Sequence, residues 1–283
     1  MDKLVCQVLN YNDYETTIKL VDRVKDYSIF EYVLIVDNHS NNNSKSILEK
    51  YFSNYENIVV ISTMRNGGYG YGNNYGLKYA FDKLKAKYVL ITNPDVKFKE
   101  KMIKHLIEAM QLKKAAIVSG VQYIHGKEIY DKAWKIPSAY QWTFAEIKYF
   151  SKRIKPQYHY KYSDFNDTSI TEVDCVPGAM LLVDVAKFLE VGGYDKSIFL
   201  FGEETVIGYK LKRKGYKTFL LNKEVYDHQH SVSINKSLKS KIQQLKILHE
   251  SKLIFYKKYL KIPIYKYFFY KLIFKVIIWK KHL

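Results

Sequence analysis

Apolar positions in the first hundred residues alternate between two spacings. Leu4 to Leu9 is a short apolar run that stops at Asn10-Tyr11-Asn12; Ile18, Val21 and Val24 then recur at helical spacing within Thr16 to Val24. Tyr32 to Val36 is an apolar, β-branched run halted by Asp37-Asn38-His39-Ser40, and Ile58 to Ser62 is another short run of the same kind. After a glycine-rich stretch, Leu77, Ala80, Phe81 and Leu84 mark a second helix face, and Tyr88 to Thr92 is a fourth strand closed by Asn93-Pro94-Asp95. Strands that alternate with helices and each end in polar loop residues predict an α/β domain of three layers around a largely parallel sheet. In such sheets ligands bind at the carboxyl ends of the strands.

Periodicity weakens from about residue 123 to 170, which reads as an excursion rather than a second core. It returns in Val173 to Val183 and in a helix starting near Asp184, a suitable N-cap. Gly192-Gly193 ends that helix, an apolar run Phe199 to Gly202 reads as a strand leading into Glu203-Glu204, a further helix runs to Gly215, and Lys217 to Leu221 is a late strand.

Composition adds two constraints. With 283 residues, 47% hydrophobic, the chain is long enough for one large domain, or a domain with an appendage, and two cysteines, Cys6 and Cys175, cannot build a disulfide framework or a zinc site. The formal charge is +18, but residues 235–283 hold 13 lysines against one acid, Glu250, so +12 of it sits there. Aromatic residues from Phe255 to Trp279 are interleaved with those lysines. Rings with a polar edge and cationic stems both favour a headgroup region, so this tail reads as an anchor on an anionic membrane surface, through residues 252–283. The competing reading is a helical pair packed on the domain with its lysines solvated. Pro263 separates two helices, and in the second Lys266, Lys271, Lys275, Lys280 and Lys281 fall on no single face. A nucleic-acid partner is not expected, since arginine is scarce and no recognition module is evident. With no secretory signal and no apolar stretch of spanning length, the expected location is cytoplasmic, peripheral on the inner face of the plasma membrane.

Several residues have the chemistry of a site. The stretch Asn66 to Gly76 holds five of 13 glycines and lets backbone approach a ligand, but it completes neither the dinucleotide fingerprint nor a phosphate loop. Asp95, placed at the sheet's mouth, could hold Mg²⁺ or Mn²⁺ against a diphosphate, or Asn93-Pro94-Asp95 could be a proline turn. Glu203-Glu204 could cap a helix, or one of them could serve as general base. Asp37 has the same double reading as loop cap or ligand contact, and His228 and His230 as structural residues or ligands.

In their order along the chain these stretches resemble family 2 glycosyltransferases of the GT-A fold, especially the rhamnosyltransferase-like members that build bacterial surface polysaccharides. The matching stretches are Asn10 to Asn12, Val36 to Ser40, Arg65 to Gly70 with Asn73 to Gly76, Asn93 to Val96, Pro177 to Met180, Val191 to Asp195 and Phe199 to Glu204, ending near His228. The resemblance implies an inverting transfer from a UDP- or dTDP-sugar to a saccharide, with a polyprenyl-diphosphate-linked acceptor suggested by the basic tail. It implies that Tyr11, Asp37, Arg65, Asn66 and Asn93 contact the nucleotide, that Asp95 and His228, with His230 as substitute, hold a divalent metal, that Glu204 is the base and that Glu203 lies on the acceptor side. It divides the chain into a GT-A domain at 1–233, with a nucleotide-binding half at 1–100 and an acceptor and catalytic half at 171–233, and a C-terminal helical segment at 234–283. Two positions depart from the family pattern: Asn93 replaces the first acid of the metal motif, and Val206 replaces an acid two residues after the base. Those losses leave open a second reading, a noncatalytic nucleotide- or glycan-binding protein at a membrane surface.

Overall fold

The computed structural model describes residues 2–165, 169–228 and 240–281. Leu4–Asn10 (β1), Tyr32–Asp37 (β2), Ile58–Ser62 (β3) and Tyr88–Thr92 (β4) form four parallel strands in the order β3-β2-β1-β4. Met180–Asp184 then lies antiparallel beside β4 and also pairs antiparallel with Ile117–Ile124. Beyond it Ile117–Ile124 and Thr218–His228 run parallel to each other, and Val96–Lys97 closes the path antiparallel to Thr218–His228. The sheet is therefore largely parallel, with one reversed strand near its middle and short reversed strands at Val96–Lys97, Lys127–Glu128 and Ile170–Val173. The carboxyl ends of β1 to β4, Ile117–Ile124 and Thr218–His228 share one edge with the start of Met180–Asp184.

Alternation along each strand explains the three layers. Cys6, Val8, Val33, Ile35 and Leu90 face a core closed by helices Tyr14–Val24 (α1), Ser44–Tyr51 (α2) and Glu100–Lys113. Val5, Leu34, Val36, Val89 and Ile91 face the other core, closed by Tyr69–Asp82 (α3), Val185–Glu190 and Glu203–Lys214. Strands buried on both sides read as continuous apolar runs.

Three elements differ from the sequence expectation. Helix Glu100–Lys113 and strand Ile117–Ile124 were not foreseen, although Met102, Ile103, Leu106, Ala109 and Met110 are buried at helical spacing. Residues 199–202 form no strand. Phe201 has φ +70° and Gly202 φ +87°, left-handed backbone that breaks a strand and turns the chain into the next helix.

The stretch from 123 to 170 is also more ordered than its periodicity suggests. It contains helices Ala139–Phe144 and Lys148–Tyr158; Ile154 and Tyr158 form a small cluster with Ala145 and Trp134, and Trp142 packs on Phe255 and Tyr256 beside the C-terminal helices. Those helices, Lys241–Ile254 and Ile264–Lys280, are separated by a π-turn Phe255–Tyr259 and by Pro263. Phe255, Tyr256, Tyr270 and Phe274 form a small core with Ala139, Ile198 and Val206. A buried polar group joins the two parts: Lys252 is 2% exposed, donates to Glu146 and to the carbonyl of Trp142 at 2.8 Å, and His249 Nε2 lies 2.7 Å from Glu146 Oε2. The boundary expected at 233/234 lies outside the described residues.

Candidate active site

The site begins where β1 and β2 end side by side. Asn10 pairs with Asp37 in register, and the Asn10 amide donates to Asp37 Oδ1 at 2.7 Å. Asp37 also accepts from the Ser40 hydroxyl at 2.6 Å, from the Ser40 backbone N–H at 3.0 Å and from the Ser62 hydroxyl at 3.4 Å. The carboxylate is thus buried and engaged by its own loop. Asn12 N–H donates to Ser40 Oγ and Asn41 N–H to Asn12 Oδ1, so the loops after β1 and β2 are latched together, with half-buried Tyr11 between those latching residues.

A second latch holds the glycine-rich loop. Asn38 donates to Asn66 Oδ1 and to the Gly68 carbonyl, both at 3.1 Å, and Gly68 N–H donates back to Asn66 at 3.0 Å. Arg65 is exposed at the rim, its guanidinium 5.4 Å from the centre of the Tyr71 ring. Gly68 has φ +90°, and a Cβ there would lie 2.0 Å from the Phe199 carbonyl, so only glycine lets this loop close on the 195–202 loop.

Asn93-Pro94-Asp95 follows β4 at the same edge. Asn93 N–H donates to the Ala179 carbonyl at 2.9 Å, tying this turn to the entrance of Met180–Asp184. Asp95 Oδ1 lies 3.1 Å from His228 Nε2, although 133 positions separate them, because Val96 and His228 pair across antiparallel strands. Gln122 Nε2 lies 3.2 Å from His228 Nδ1, while Gln122 Oε1 accepts from the Tyr226 hydroxyl at 3.2 Å. With the amide oxygen turned to Tyr226, Gln122 offers its NH₂ to Nδ1, and Nε2 is the nitrogen that faces Asp95. His230 lies outside the described residues.

Glu203 and Glu204 begin helix Glu203–Lys214, at the end where helix dipole favours carboxylates. Gly178 couples Glu204 to the glycine-rich loop: its carbonyl accepts from the Tyr69 hydroxyl at 2.8 Å, and its Cα lies so close against the Glu204 carboxylate that a Cβ there would be 2.6 Å from Oε1. Burial holds the Glu204 carboxyl above the usual glutamate range. Glu203 is 3% exposed, its Oε1 has no hydrogen-bond partner among the described residues, and burial followed by the neighbouring Glu204 charge pushes its carboxyl well above the usual range. Tyr69, Tyr194 and Tyr226 all feel the Glu204 charge. Because Asn93 bonds to Ala179 while the adjacent Gly178 lies against Glu204, the carboxylate pair and the Asp95–His228 pair border one stretch of the sheet edge.

That edge has the parts for a metal-assisted displacement. Asp95 and His228 are a hard oxygen and an imidazole donor, a set that Mg²⁺ or Mn²⁺ accepts when substrate oxygens and water complete the shell. No group of three His, Cys, Asp or Glu side chains able to hold a metal occurs among the described residues, so the protein's contribution to such a site is small. Tyr69, Gln122 and Tyr226 were not anticipated. A glutamine inside the apolar run Ile117–Ile124 was the available signal, since a buried amide needs partners.

Comparison with known proteins fits this geometry. The family model described as glycosyl transferase family 2 matches residues 7–187. The chain is 26% identical over 214 residues to the low-salt glycan biosynthesis hexosyltransferase Agl10 of Haloferax volcanii, covering 76% of this chain and 63% of that protein. It is 25% identical over 183 residues to the rhamnosyltransferase WbbL of Escherichia coli K12, covering 62% of this chain and 66% of that one. The chain thus spans just under two thirds of the length of these curated relatives. Among solved structures it resembles GalNAc-T7 with UDP, GalNAc and Mn²⁺, with a TM-score of 0.64 and 14% identity over 81% of this chain and 44% of that one. It also resembles the mannosyltransferase PcManGT of Pyrobaculum calidifontis with GDP-Man and Mn²⁺, with a TM-score of 0.60 and 11% identity over 88% of this chain and 62% of that one. At these identities the structures establish the fold alone, and the fold is GT-A.

Proposed function

The chain belongs to glycosyl transferase family 2, and from that membership we propose that it is an inverting glycosyltransferase that moves a sugar from a UDP- or dTDP-sugar to a saccharide acceptor. The observation that carries the reading is the convergence of Asp95, His228 and Glu204 on one sheet edge from three distant parts of the chain. The two curated relatives, a hexosyltransferase and a rhamnosyltransferase, support a hexose-type donor.

In this reading the latched loops at Tyr11, Asp37, Arg65 and Asn66 receive the base and ribose. Asp37, engaged by Asn10 and Ser40, holds the floor of that pocket, Tyr11 and Arg65 offer ring and guanidinium surfaces to the nucleotide, and Asn93 stands near the ribose. Asp95 and His228 would hold a divalent cation, which supplies charge neutralisation on the leaving diphosphate when bound. Nε2 would ligate in the tautomer whose proton sits on Nδ1, where Gln122 could accept it by turning its amide.

Glu204 takes the proton of the acceptor hydroxyl at its carboxylate as that oxygen attacks the anomeric carbon. Its raised proton affinity suits the task, and the close approach of Gly178, itself held by Tyr69, keeps the carboxylate aimed. Glu203, its neighbour in the chain, lies on the acceptor side. We further propose that the acceptor is a polyprenyl-diphosphate-linked saccharide at the inner face of the plasma membrane, a reading supported by the basic aromatic C-terminal helices. No helix among the described residues is long and apolar enough to cross a membrane.

A thermal-shift panel tests the donor assignment. UDP, dTDP, GDP and their sugars are added with and without Mn²⁺, because a ligand selective for the folded state raises apparent stability. A shift confined to uridine or thymidine diphosphates and enlarged by Mn²⁺ is expected; a shift with GDP alone, or with no nucleotide, would overturn it.

A further inference from the structure

The last helix, Ile264–Lys280, has two apolar faces, and only one is used by the protein. Tyr270 and Phe274 are buried; Tyr270 packs its ring 5.4 Å from Tyr256, and Phe274 stacks on His249 at 4.1 Å. On the opposite side Tyr265, Phe268, Leu272, Val276 and Trp279 are between 43% and 68% exposed. At 3.6 residues per turn these five fall within an arc of roughly 80°, facing away from Tyr270 and Phe274. Four of the five lysines that seemed scattered in the sequence sit at the two borders of this stripe, Lys271 and Lys275 on one side, Lys266 and Lys280 on the other, all exposed, and Lys281 follows at the helix end on the far side. The helix carries no acid.

We infer that this face is a docking surface for an anionic phospholipid bilayer and that the helix lies in the plane of the headgroups. A stripe of aromatic and aliphatic side chains bordered on both sides by lysines matches the cross-section of such an interface: the stripe enters the acyl boundary, and the lysine stems spread outward to phosphates. The charges argue against the other occupants. A second copy would bring two lysine borders together, and the cores of protein interfaces are depleted in lysine. Lysines recurring every four or five residues also exclude a spanning orientation.

The same C-terminal pair is fixed to the catalytic loop. Ser251 Oγ donates to the Leu200 carbonyl at 3.0 Å, and Lys258 Nζ and Tyr259 OH donate to Asp195 Oδ2 at 2.8 and 2.6 Å. The docked helix therefore sets the height of Glu204 above the bilayer through folded protein rather than through a linker. That use of docking rests on the function proposed above, whereas docking itself does not.

Co-sedimentation of the full chain with phosphatidylcholine vesicles, with and without phosphatidylglycerol, tests it. The chain is expected to bind only the anionic vesicles and to lose at least about tenfold in affinity in a Phe268→Glu/Trp279→Glu variant, because charge on the buried face of an interfacial helix opposes insertion. Both residues are exposed, and an unchanged thermal melt shows that the variant folds. In the unaltered chain, nitroxide-labelled lipid should quench Trp279, with Trp279→Phe as the blank, which reads docking without relying on the double variant. Absence of vesicle binding, equal binding by the variant, or a wild-type dimer that the variant splits into monomers overturns the inference. Nucleotide binding, measured on the same preparation without vesicles, separates this failure from failure of the proposed function.

Discussion

Gly178 is the residue on which the geometry of the proposed base turns. A Cβ there would lie 2.6 Å from Glu204 Oε1, a contact that a side-chain tip relieves by moving. Gly178→Ala is therefore expected to fold with a melting temperature close to that of the parent and to lower kcat by about a hundredfold, the scale of a misplaced catalytic group; an unaffected kcat would mean that Glu204 is not aimed through Gly178. Glu203 makes the opposite kind of prediction. Its carboxyl holds a proton in the folded chain that the unfolded chain releases, so the stability this contributes is complete below the ordinary glutamate range and is lost as pH rises through the raised value. Glu203→Gln is neutral at every pH and should stabilise the protein by about 1–3 kcal/mol at neutral pH, with the gain shrinking in acid, read from urea melts at two pH values. Glu204 also titrates above the usual range, so activity should fall as pH drops through that value. At this scale the sequence exposed the acids and the glycines but not their alignment, because Tyr69, Gly178 and Tyr226 meet Glu204 only after the sheet has formed.

Among the elements, the four parallel strands and α3 were legible because their apolar runs and polar ends need no distant partner to be recognised. The helices Glu100–Lys113 and Lys148–Tyr158 each carried a period and were overlooked, whereas Trp142 in the short helix Ala139–Phe144 finds its partners Phe255 and Tyr256 more than a hundred positions later. Residues 199–202, the end of the 195–202 loop, were misread as a strand since apolar composition does not reveal left-handed backbone at Phe201 and Gly202. Asp195 anchors this loop to the π-turn. Burial pushes its carboxyl up, but hydrogen bonds from Lys258, Tyr259 and Ser197 outweigh that and hold it well below the usual aspartate range. Such a group stabilises the fold above the ordinary aspartate pKa and ceases to do so as pH falls through the folded value. Asp195→Asn should cost about 1.5–3 kcal/mol at neutral pH, with the difference from the parent narrowing in acid, and should lower activity on a soluble acceptor as well as on a membrane-borne one. Parent-like activity on the soluble acceptor would show that the C-terminal pair does not hold the catalytic loop.

Across the whole molecule, charge and chemistry are divided between two ends of one folded unit. The excess of lysine lies in the C-terminal helices, while the sheet edge gathers Asp37, Asp95, Glu203 and Glu204 from loops spread over nearly 170 positions. The sequence order of those loops was enough to identify the family, since the parallel sheet places every strand end on the same side. The two lost acids, at Asn93 and Val206, bear on whether the cleft turns over. The most direct measurement is the rate of nucleotide release from the preferred nucleotide sugar in the presence of acceptor and Mn²⁺, compared between the parent chain and Glu204→Gln. Loss of at least about a hundredfold in rate with nucleotide affinity retained is predicted, consistent with removal of a general base; parent-like turnover in Glu204→Gln would contradict the account.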